Sequence, residues 1–302
     1  MTDYGREVEF GYFLSPDADD PDGVLQTAKL ADELGYDLLG VQDHPYQRAH
    51  LDSLALVGVI LARTERIRLF QAVGNLPLRP PAMYAKAAAT LDLLSGGRFE
   101  AGLGGGGYLG PAHAMGAPEL TPGQSIEALE EAVSIMRESW SGAHSIRHDG
   151  RHYHLDGMKP GPVPAHPIGI WLGTAKPRAL ALTGRVADGW FAPLMNYMPP
   201  AAAAEAQAVI DGAARDAGRD PSEIRRIYNV VGAITDTAAA ASDTDEAIVG
   251  PPDHWAEVLT HLVLDIGFDS FTFATRPDPD TLRTFIDSVA PQVRERVAAA
   301  RG

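Results

Sequence analysis

The chain has 302 residues, a length that suits either two domains or one large α/β barrel, and its 45% hydrophobic composition can fill a large core. Its 25 basic and 40 acidic residues give a formal net charge of −15, which argues against nucleic acid or an anionic membrane surface as a partner. Cysteine is absent, which excludes disulfides, thiolate metal ligands and cysteine nucleophiles. The first ten residues lack a secretory signal pattern, and no apolar stretch approaches the roughly 18 to 20 residues that span a bilayer. We therefore predict a cytoplasmic protein.

Short apolar segments alternate with helical patterns along the whole chain. The predicted strands are residues 8–14, 38–41, 67–73, 99–103, 168–172, 190–191, 227–234 and 270–274. The helices after them are predicted to begin near residues 22, 53, 80, 124, 177, 200, 255 and 281. Eight such pairs imply an all-parallel sheet that closes into a (β/α)8 TIM barrel, here one domain of residues 1–302. An open doubly wound sheet would need a glycine-rich turn after the first strand, and residues 12–16 contain no glycine.

Two segments exceed a minimal barrel and are predicted to be insertions after strands 4 and 7. Residues 145–160 have the pattern of a hairpin that turns at Asp149 and Gly150, and residues 235–253 are small, acidic and expected to be mobile. The first segment contains three histidines, but the turn between them and the lack of a second ligand cluster favour an exposed loop. No metal site is predicted.

Functional groups of such barrels lie where the strands end and the βα loops begin. Asp43 and His44 follow directly on the second predicted strand. A histidine there can transfer a proton near neutral pH, and Asp43 could fix its tautomer or bond the edge of a cofactor. The alternative is that Asp43 caps a turn and that His44 packs under the loop.

Glycines follow the third, fourth and fifth predicted strands. Gly74 on its own is more typical of a turn or bulge than of a ligand site. Residues 104–107 are all glycine, which would let a flat ligand approach the backbone closely. After the fifth strand, residues 173–176 precede Pro177 as the first residue of a helix, and the free N–H groups of a helix N-terminus can hold a phosphate.

Three segments together resemble the bacterial luciferase-like monooxygenase superfamily: residues 43–45, 75–107 and 171–190, of which LDLLSGGRFEAGLG is the most specific part. The resemblance implies a barrel that binds FMN or the deazaflavin coenzyme F420, with the ring at the strand ends. It places His44 near the reactive face of the ring, and a non-prolyl cis peptide often lies at the position of Val73 and Gly74. The cofactor-binding residues that it implies are Val73, Gly74, Asn75, Gly104, Gly105, Gly106, Gly173, Thr174, Ala175 and Lys176.

The resemblance leaves two mechanisms open. In one, a substrate alcohol or activated double bond exchanges hydride with F420 while His44 moves the proton. In the other, reduced FMN from a separate flavin reductase reacts with O2 and an apolar substrate is oxygenated. The few lysines are compatible with lineages that make F420, which therefore comes first. A cofactor-free binding barrel is the third possibility.

Three further expectations concern the substrate and the assembly. Members that oxidise sugar phosphates carry a glutamate in the fourth-strand loop, where this chain has glycines around Gly105, so the resemblance disfavours a sugar-phosphate dehydrogenase. The predicted substrate pocket is lined by Phe13, Tyr46, Tyr108 and Trp190, which suit an apolar or planar compound but could equally belong to the core. Because the family often dimerises through helices on one side of the barrel, a homodimer is expected.

Overall fold

Eight parallel strands form a closed barrel in the computed structural model, which describes residues 2–235 and 246–302. The strands are β1 (Glu9–Leu14), β2 (Leu38–Val41), β3 (Arg68–Gln71), β4 (Phe99–Gly104), β5 (Ile170–Gly173), β6 (Gly189–Leu194), β7 (Arg225–Ile234) and β8 (Ser270–Ala274). Each strand pairs in parallel with the next, and β8 pairs with β1 from Glu9–Ser270 to Tyr12–Phe273. The predicted (β/α)8 barrel is confirmed.

A helix follows each strand. The helices are α1 (Pro21–Leu34), α2 (Ser53–Leu61), α3 (Pro81–Ser95), α4 (Pro122–Trp140), α5 (Pro177–Val186), α6 (Pro200–Asp216), α7 (Pro252–His261) and α8 (Pro279–Thr284). Seven of these eight begin with proline, whose fixed φ and missing N–H suit the first helical position. The exception, α2, begins after Asp52, whose carboxylate accepts the N–H of Ala55. α7 continues as a π-helical turn, Leu262–Ile266, and α8 continues through Phe285–Val289 into Ala290–Arg301.

The first predicted insertion is a hairpin of two antiparallel strands, Ile146–Asp149 and His154–Met158, and it lies between α4 and β5. The second predicted insertion is residues 235–253, which were expected to be mobile, and residues 236–245 of it lie outside the described residues. The short strand Ile248–Gly250 pairs in parallel with the end of β7 just before α7 begins. No helix in the described part of the chain is both long and apolar enough to cross a membrane.

The barrel interior is a packed core. It is filled by Leu38, Phe70, Ala72, Trp171, Phe191 and Ile227, with Phe13 and Val73 packed against this cluster. Phe70 contacts Trp171 and Phe191 edge-to-face, at 5.0 and 5.2 Å between ring centroids. Room for these rings comes from glycines, because a Cβ at Gly189 would lie 2.6 Å from the Trp171 ring. The interior is therefore closed, and ligands can bind only at a rim.

Charged side chains cover the N-terminal end of the barrel, away from the predicted site. Arg68 and Arg225 each lie 2.6 Å from a Glu9 oxygen, and Arg68 also reaches Glu100 at 3.2 Å. His166 joins this network through Nδ1, 2.6 Å from the buried Asp92, and Nε2, 3.5 Å from Glu100. Glu100, and then Asp92, raise the pKa of His166 against the opposing effect of burial.

His166→Gln is expected to lower the free energy of unfolding by about 1–3 kcal/mol near pH 5.5 and by much less near pH 9. The folded-state pKa is raised, so the stabilisation is fully present below the unfolded pKa and is lost as pH rises through the folded value. Urea unfolding of both proteins across this pH range measures the difference. The exposed His154 provides the control variant His154→Gln, and a loss for His166→Gln that did not vary with pH would contradict the charge-based account.

Candidate active site

Asp43 fixes the loops after β2 and β3 to each other. Its buried carboxylate accepts hydrogen bonds from Ser53 Oγ at 2.8 Å, from the Asn75 backbone N–H at 2.7 Å and from Arg79 Nη2 at 2.9 Å. These bonds, and not a bond to His44, occupy the carboxylate. The prediction that Asp43 fixes the His44 tautomer is therefore corrected, whereas its bond to the edge of a cofactor stays a prediction. Ser53 and Arg79 are supporting residues that the sequence did not indicate.

His44 is held instead by Tyr46. Its Nδ1 lies 2.6 Å from the Tyr46 hydroxyl, and its ring also contacts those of His50 and Tyr108. Burial lowers the pKa of His44, neighbouring His50 lowers it further, and Asp43 opposes this shift. His44 is therefore a neutral imidazole at pH 7. With Nδ1 engaged by Tyr46, Nε2 is the nitrogen that remains for proton transfer.

The Tyr46 hydroxyl stays protonated through the neutral range, because burial, with Tyr108 and Asp43 adding to it, raises its pKa to about 12. It can thus either donate to Nδ1 or accept from it, and each choice fixes one tautomer of His44.

Tyr46→Phe is expected to shift the pKa of the His44 ring, because the variant removes its hydrogen-bond partner at Nδ1. A rise in the pKa would show that Tyr46 donates to Nδ1, and a fall would show that it accepts. An NMR titration of the ring protons measures the shift without any substrate. Tyr108→Phe is the matched control, since the Tyr108 ring touches His44 while its hydroxyl has no hydrogen bond within the described residues. An unchanged pKa in Tyr46→Phe would contradict a positioning role.

Val73 lies at the centre of the rim. The peptide bond before it, Ala72–Val73, is cis, one bond earlier than the Val73–Gly74 position to which the resemblance pointed. Added Cβ atoms at Gly104 and Gly173 would lie 2.8 and 2.7 Å from the Val73 side chain. These two glycines therefore make room for Val73, whereas a Cβ at Gly107 would meet only open space.

The other predicted residues of the third and fourth loops lie around this bulge. Gly74 and Asn75 form a short strand that pairs with Leu103 and Gly104 of β4. The Gly105 carbonyl accepts a hydrogen bond from Ser125 of α4, and Gly106 adopts a φ of +91° beside Pro77. Asn75 Oδ1 is buried and has no hydrogen-bond partner among the described residues. An N–H group of a ligand ring would satisfy this acceptor. Flavins and deazaflavins carry such an N–H donor on their rings.

The predicted phosphate loop divides into a buried and an exposed half. Thr174 is buried, its Oγ1 lies 2.8 Å from Thr183 Oγ1, and its carbonyl accepts a hydrogen bond from Trp190 Nε1. Ala175 and Lys176 are exposed and lead directly into α5. No side chain of the described residues caps this helix, so its first N–H groups are available to an anion.

The four predicted substrate residues lie in three places. Tyr46 and Tyr108 flank His44, with Tyr108 61% exposed. Phe13 lines a cavity of about 850 Å³ between the loops after β1 and β8. Trp190 has no exposed surface and stacks on Phe268 between the barrel and its helices, so it belongs to the core and the prediction of a pocket residue is corrected.

The histidines of the hairpin contact acids rather than one another. His148 and His152 each lie 3.4 Å from a glutamate of α4, Glu131 and Glu127. Across residues 2–235 and 246–302, no group of three or more histidine, aspartate or glutamate side chains is placed to hold a metal ion.

These features define a (β/α)8-barrel protein with three groups at the C-terminal ends of its strands. They are the neutral imidazole of His44, the buried Asn75 Oδ1 without a hydrogen-bond partner among the described residues, and the N-terminus of α5 without a side-chain cap. The chain belongs to the luciferase-like monooxygenase family, whose model matches residues 8–286. The resemblance found in the sequence is thereby confirmed.

Relatives and one solved structure give this membership more detail. A protein of Nocardia farcinica named F420-dependent glucose-6-phosphate dehydrogenase is 31% identical over 238 residues, which cover 74% of this chain and 68% of that protein. A protein of the same name from Nakamurella multipartita is 31% identical over 61% of this chain. The chain spans 55% of the length of that relative. The coenzyme F420 dependent tetrahydromethanopterin reductase of Methanopyrus kandleri superposes with a TM-score of 0.82, covering 95% of this chain and all of that one, at 20% identity. At that identity the likeness shows the fold alone.

Proposed function

We propose that this protein is an oxidoreductase that binds coenzyme F420 at the barrel rim and transfers hydride between F420 and a small organic substrate. The observation that carries the proposal is the placement of His44, Val73 and the uncapped N-terminus of α5 around one rim. The names of the relatives support F420 as the cofactor.

The rim residues have distinct roles in this proposal. Bound F420 supplies the hydride acceptor or donor. The N–H groups at the start of α5, together with Lys176, hold its phosphate, and Asn75 Oδ1 accepts an N–H of its ring. Val73 offers an apolar surface to the ring, and the glycines beneath it allow that position.

His44 takes the proton of a substrate hydroxyl at Nε2 during oxidation and returns it during reduction, which requires that the neutral ring carries its own proton at Nδ1. Its lowered pKa keeps the ring neutral, and thus able to accept a proton, throughout the neutral pH range. In this proposal the Tyr46 hydroxyl oxygen accepts the Nδ1 proton, which leaves Nε2 free to accept a proton from the substrate. The rings of Tyr46 and Tyr108 lie beside the His44 ring, at 5.5 and 6.0 Å between ring centroids.

The glucose 6-phosphate of the named relatives is not part of the proposal. The resemblance places an acidic glutamate of sugar-phosphate dehydrogenases in the fourth-strand loop, where this chain has glycines around Gly105. No side chain there can replace it, so we propose an alcohol or an activated alkene as the substrate.

The test is a screen of alcohols with oxidised F420, in which loss of F420 fluorescence reports turnover. The reverse reaction is screened with reduced F420 and activated alkenes. Turnover of at least one compound is expected. Oxygen consumption with reduced FMN, without any F420 turnover, would contradict the proposal.

The second candidate is a monooxygenase that uses reduced FMN from a separate flavin reductase. It is supported by the apolar side of the 850 Å³ cavity, with Phe13, Leu194 and Val231, which suits an apolar substrate. A barrel that binds neither cofactor is the third candidate, and the free acceptor of Asn75 and the uncapped α5 weigh against it.

We also infer a cytoplasmic homodimer. Met83 and Leu94, 64% and 84% exposed, lie eleven residues or three turns apart on α3, so that they share one face of the helix. Burial of this face in a second copy would remove apolar surface from water. Light scattering is expected to give twice the monomer mass, and a lower mass for Leu94→Asp. A monomer in the wild-type protein would contradict the inference.

A further inference from the structure

The cavity of about 850 Å³ occupies the half of the rim that the proposed cofactor residues leave open. Those residues follow β2, β3, β4 and β5, whereas the cavity is lined by ends of the other four strands. Its apolar wall is formed by Phe13 of β1, Leu194 of β6, Val231 of β7 and Ala274 of β8. Phe13 on the cavity side and Val73 on the cofactor side both pack against the same interior cluster, which therefore lies between the two. Its volume suits a small-molecule ligand.

Two arginines give this cavity a polar side. Arg276 lies two residues beyond β8, Arg283 lies on α8, and both line the cavity. Both side chains are exposed at the cavity mouth, and within residues 2–235 and 246–302 neither guanidinium makes a hydrogen bond or ion pair with another side chain or carbonyl. Arginines elsewhere in the described chain are mostly satisfied, as Arg225 is by Glu9 and Arg294 is by Asp37.

Two acidic residues also line the cavity, and each accepts a hydrogen bond within its own turn. Asp17 accepts the N–H of Asp19 at 2.9 Å, and Asp20 accepts the N–H of Gly23 at 3.0 Å as the cap of α1. Neither carboxylate forms an ion pair with Arg276 or Arg283 within the described residues. A guanidinium presents a planar fork of N–H donors that matches the oxygens of a carboxylate or phosphate.

We propose that the substrate of this enzyme carries an anionic group, which Arg276 and Arg283 bind, and an apolar part that lies against Phe13, Leu194 and Val231. The inference rests on the proposed function, because it assigns the cavity to the substrate that reacts beside the cofactor. The shared chemistry is an oxyanion on an apolar body, and either a carboxylate or a phosphate provides it.

The test is calorimetric titration of the cofactor-free protein with hexanoate, hexyl phosphate and hexan-1-ol, three probes with the same chain. At least one anion is expected to bind about tenfold or more tightly than the alcohol, in keeping with charge-assisted hydrogen bonds. The double variant Arg276→Gln, Arg283→Gln should lose this preference. Arg63→Gln, at an exposed arginine that does not line the cavity, should keep it.

The two anionic probes distinguish the two kinds of anionic group that the substrate could carry. Tighter binding of hexanoate indicates a carboxylate substrate, and tighter binding of hexyl phosphate indicates a phosphate ester. Equal binding of all three probes, or an unchanged preference in the double variant, would overturn the inference. Titration of the double variant with F420 separates this proposal from the previous one. If the double variant keeps its F420 affinity and loses its anion affinity, both proposals are supported. If the wild-type protein binds the anions but does not bind F420, only the proposed cofactor is contradicted.

Discussion

His44→Ala is expected to lower turnover with F420 by about 10²–10⁴-fold, the usual contribution of a positioned general acid or base. The loss should be in the rate and not in cofactor affinity, because His44 contacts Tyr46, His50 and Tyr108 rather than the proposed phosphate loop. Steady-state kinetics with an alcohol that the wild-type protein oxidises measures the rate, and F420 titration measures the affinity.

The control for this variant is His154→Ala, which removes an exposed histidine from the hairpin. It should leave rate and affinity unchanged. If His44→Ala turned over at the wild-type rate, His44 would have no part in the proton transfer. If it lost F420 affinity and rate together, His44 would belong to the cofactor site instead.

Ala175→Glu is expected to weaken F420 binding by about 10- to 100-fold, as a negative charge would then face the phosphate at the N-terminus of α5. Ala175 is exposed, so the longer side chain meets no core atoms. A carboxylate near a helix N-terminus is favourable for the helix itself, and the variant should therefore fold normally. Fluorescence titration with F420 gives the affinity, and circular dichroism checks the fold.

Ala175→Gln supplies the matched neutral control, with nearly the same shape as Ala175→Glu and no charge. It should bind F420 within about threefold of the wild-type affinity. Equal affinity in the glutamate and glutamine variants would place the phosphate elsewhere. Thr174, next along the chain, is unsuitable for this test, because its side chain is buried against Thr183 and a glutamate there would disturb the core.

The barrel was predictable from the sequence because each unit carries its own local signals. Apolar runs such as residues 38–41 and 270–274 give the exact bounds of β2 and β8, and prolines mark the start of seven helices. The sixth strand was predicted as residues 190–191 but extends from Gly189 to Leu194. Pro193 near its end breaks the apolar pattern, and the proline is tolerated because the strand is ending there.

The site was less predictable, since it depends on contacts between distant segments. The sequence shows that Asp43 and His44 are adjacent, but not that Asp43 turns toward Arg79 while His44 turns toward Tyr46. It shows an aromatic residue at position 190, but not that the indole N–H bonds the Thr174 carbonyl inside the core. Arg276 and Arg283 carry no motif at all. Only the closed barrel brings them to the rim beside Phe13.

The central claim is that this rim binds F420, and paired binding titrations test it most directly. The protein is titrated with F420 in one series and with FMN, oxidised and reduced, in the other, and tryptophan or cofactor fluorescence reports binding. Tight binding of F420, with FMN much weaker, is the predicted result. Preference for reduced FMN would contradict it and make the protein the oxygenase of a two-component system, while binding of neither would leave a barrel without a cofactor.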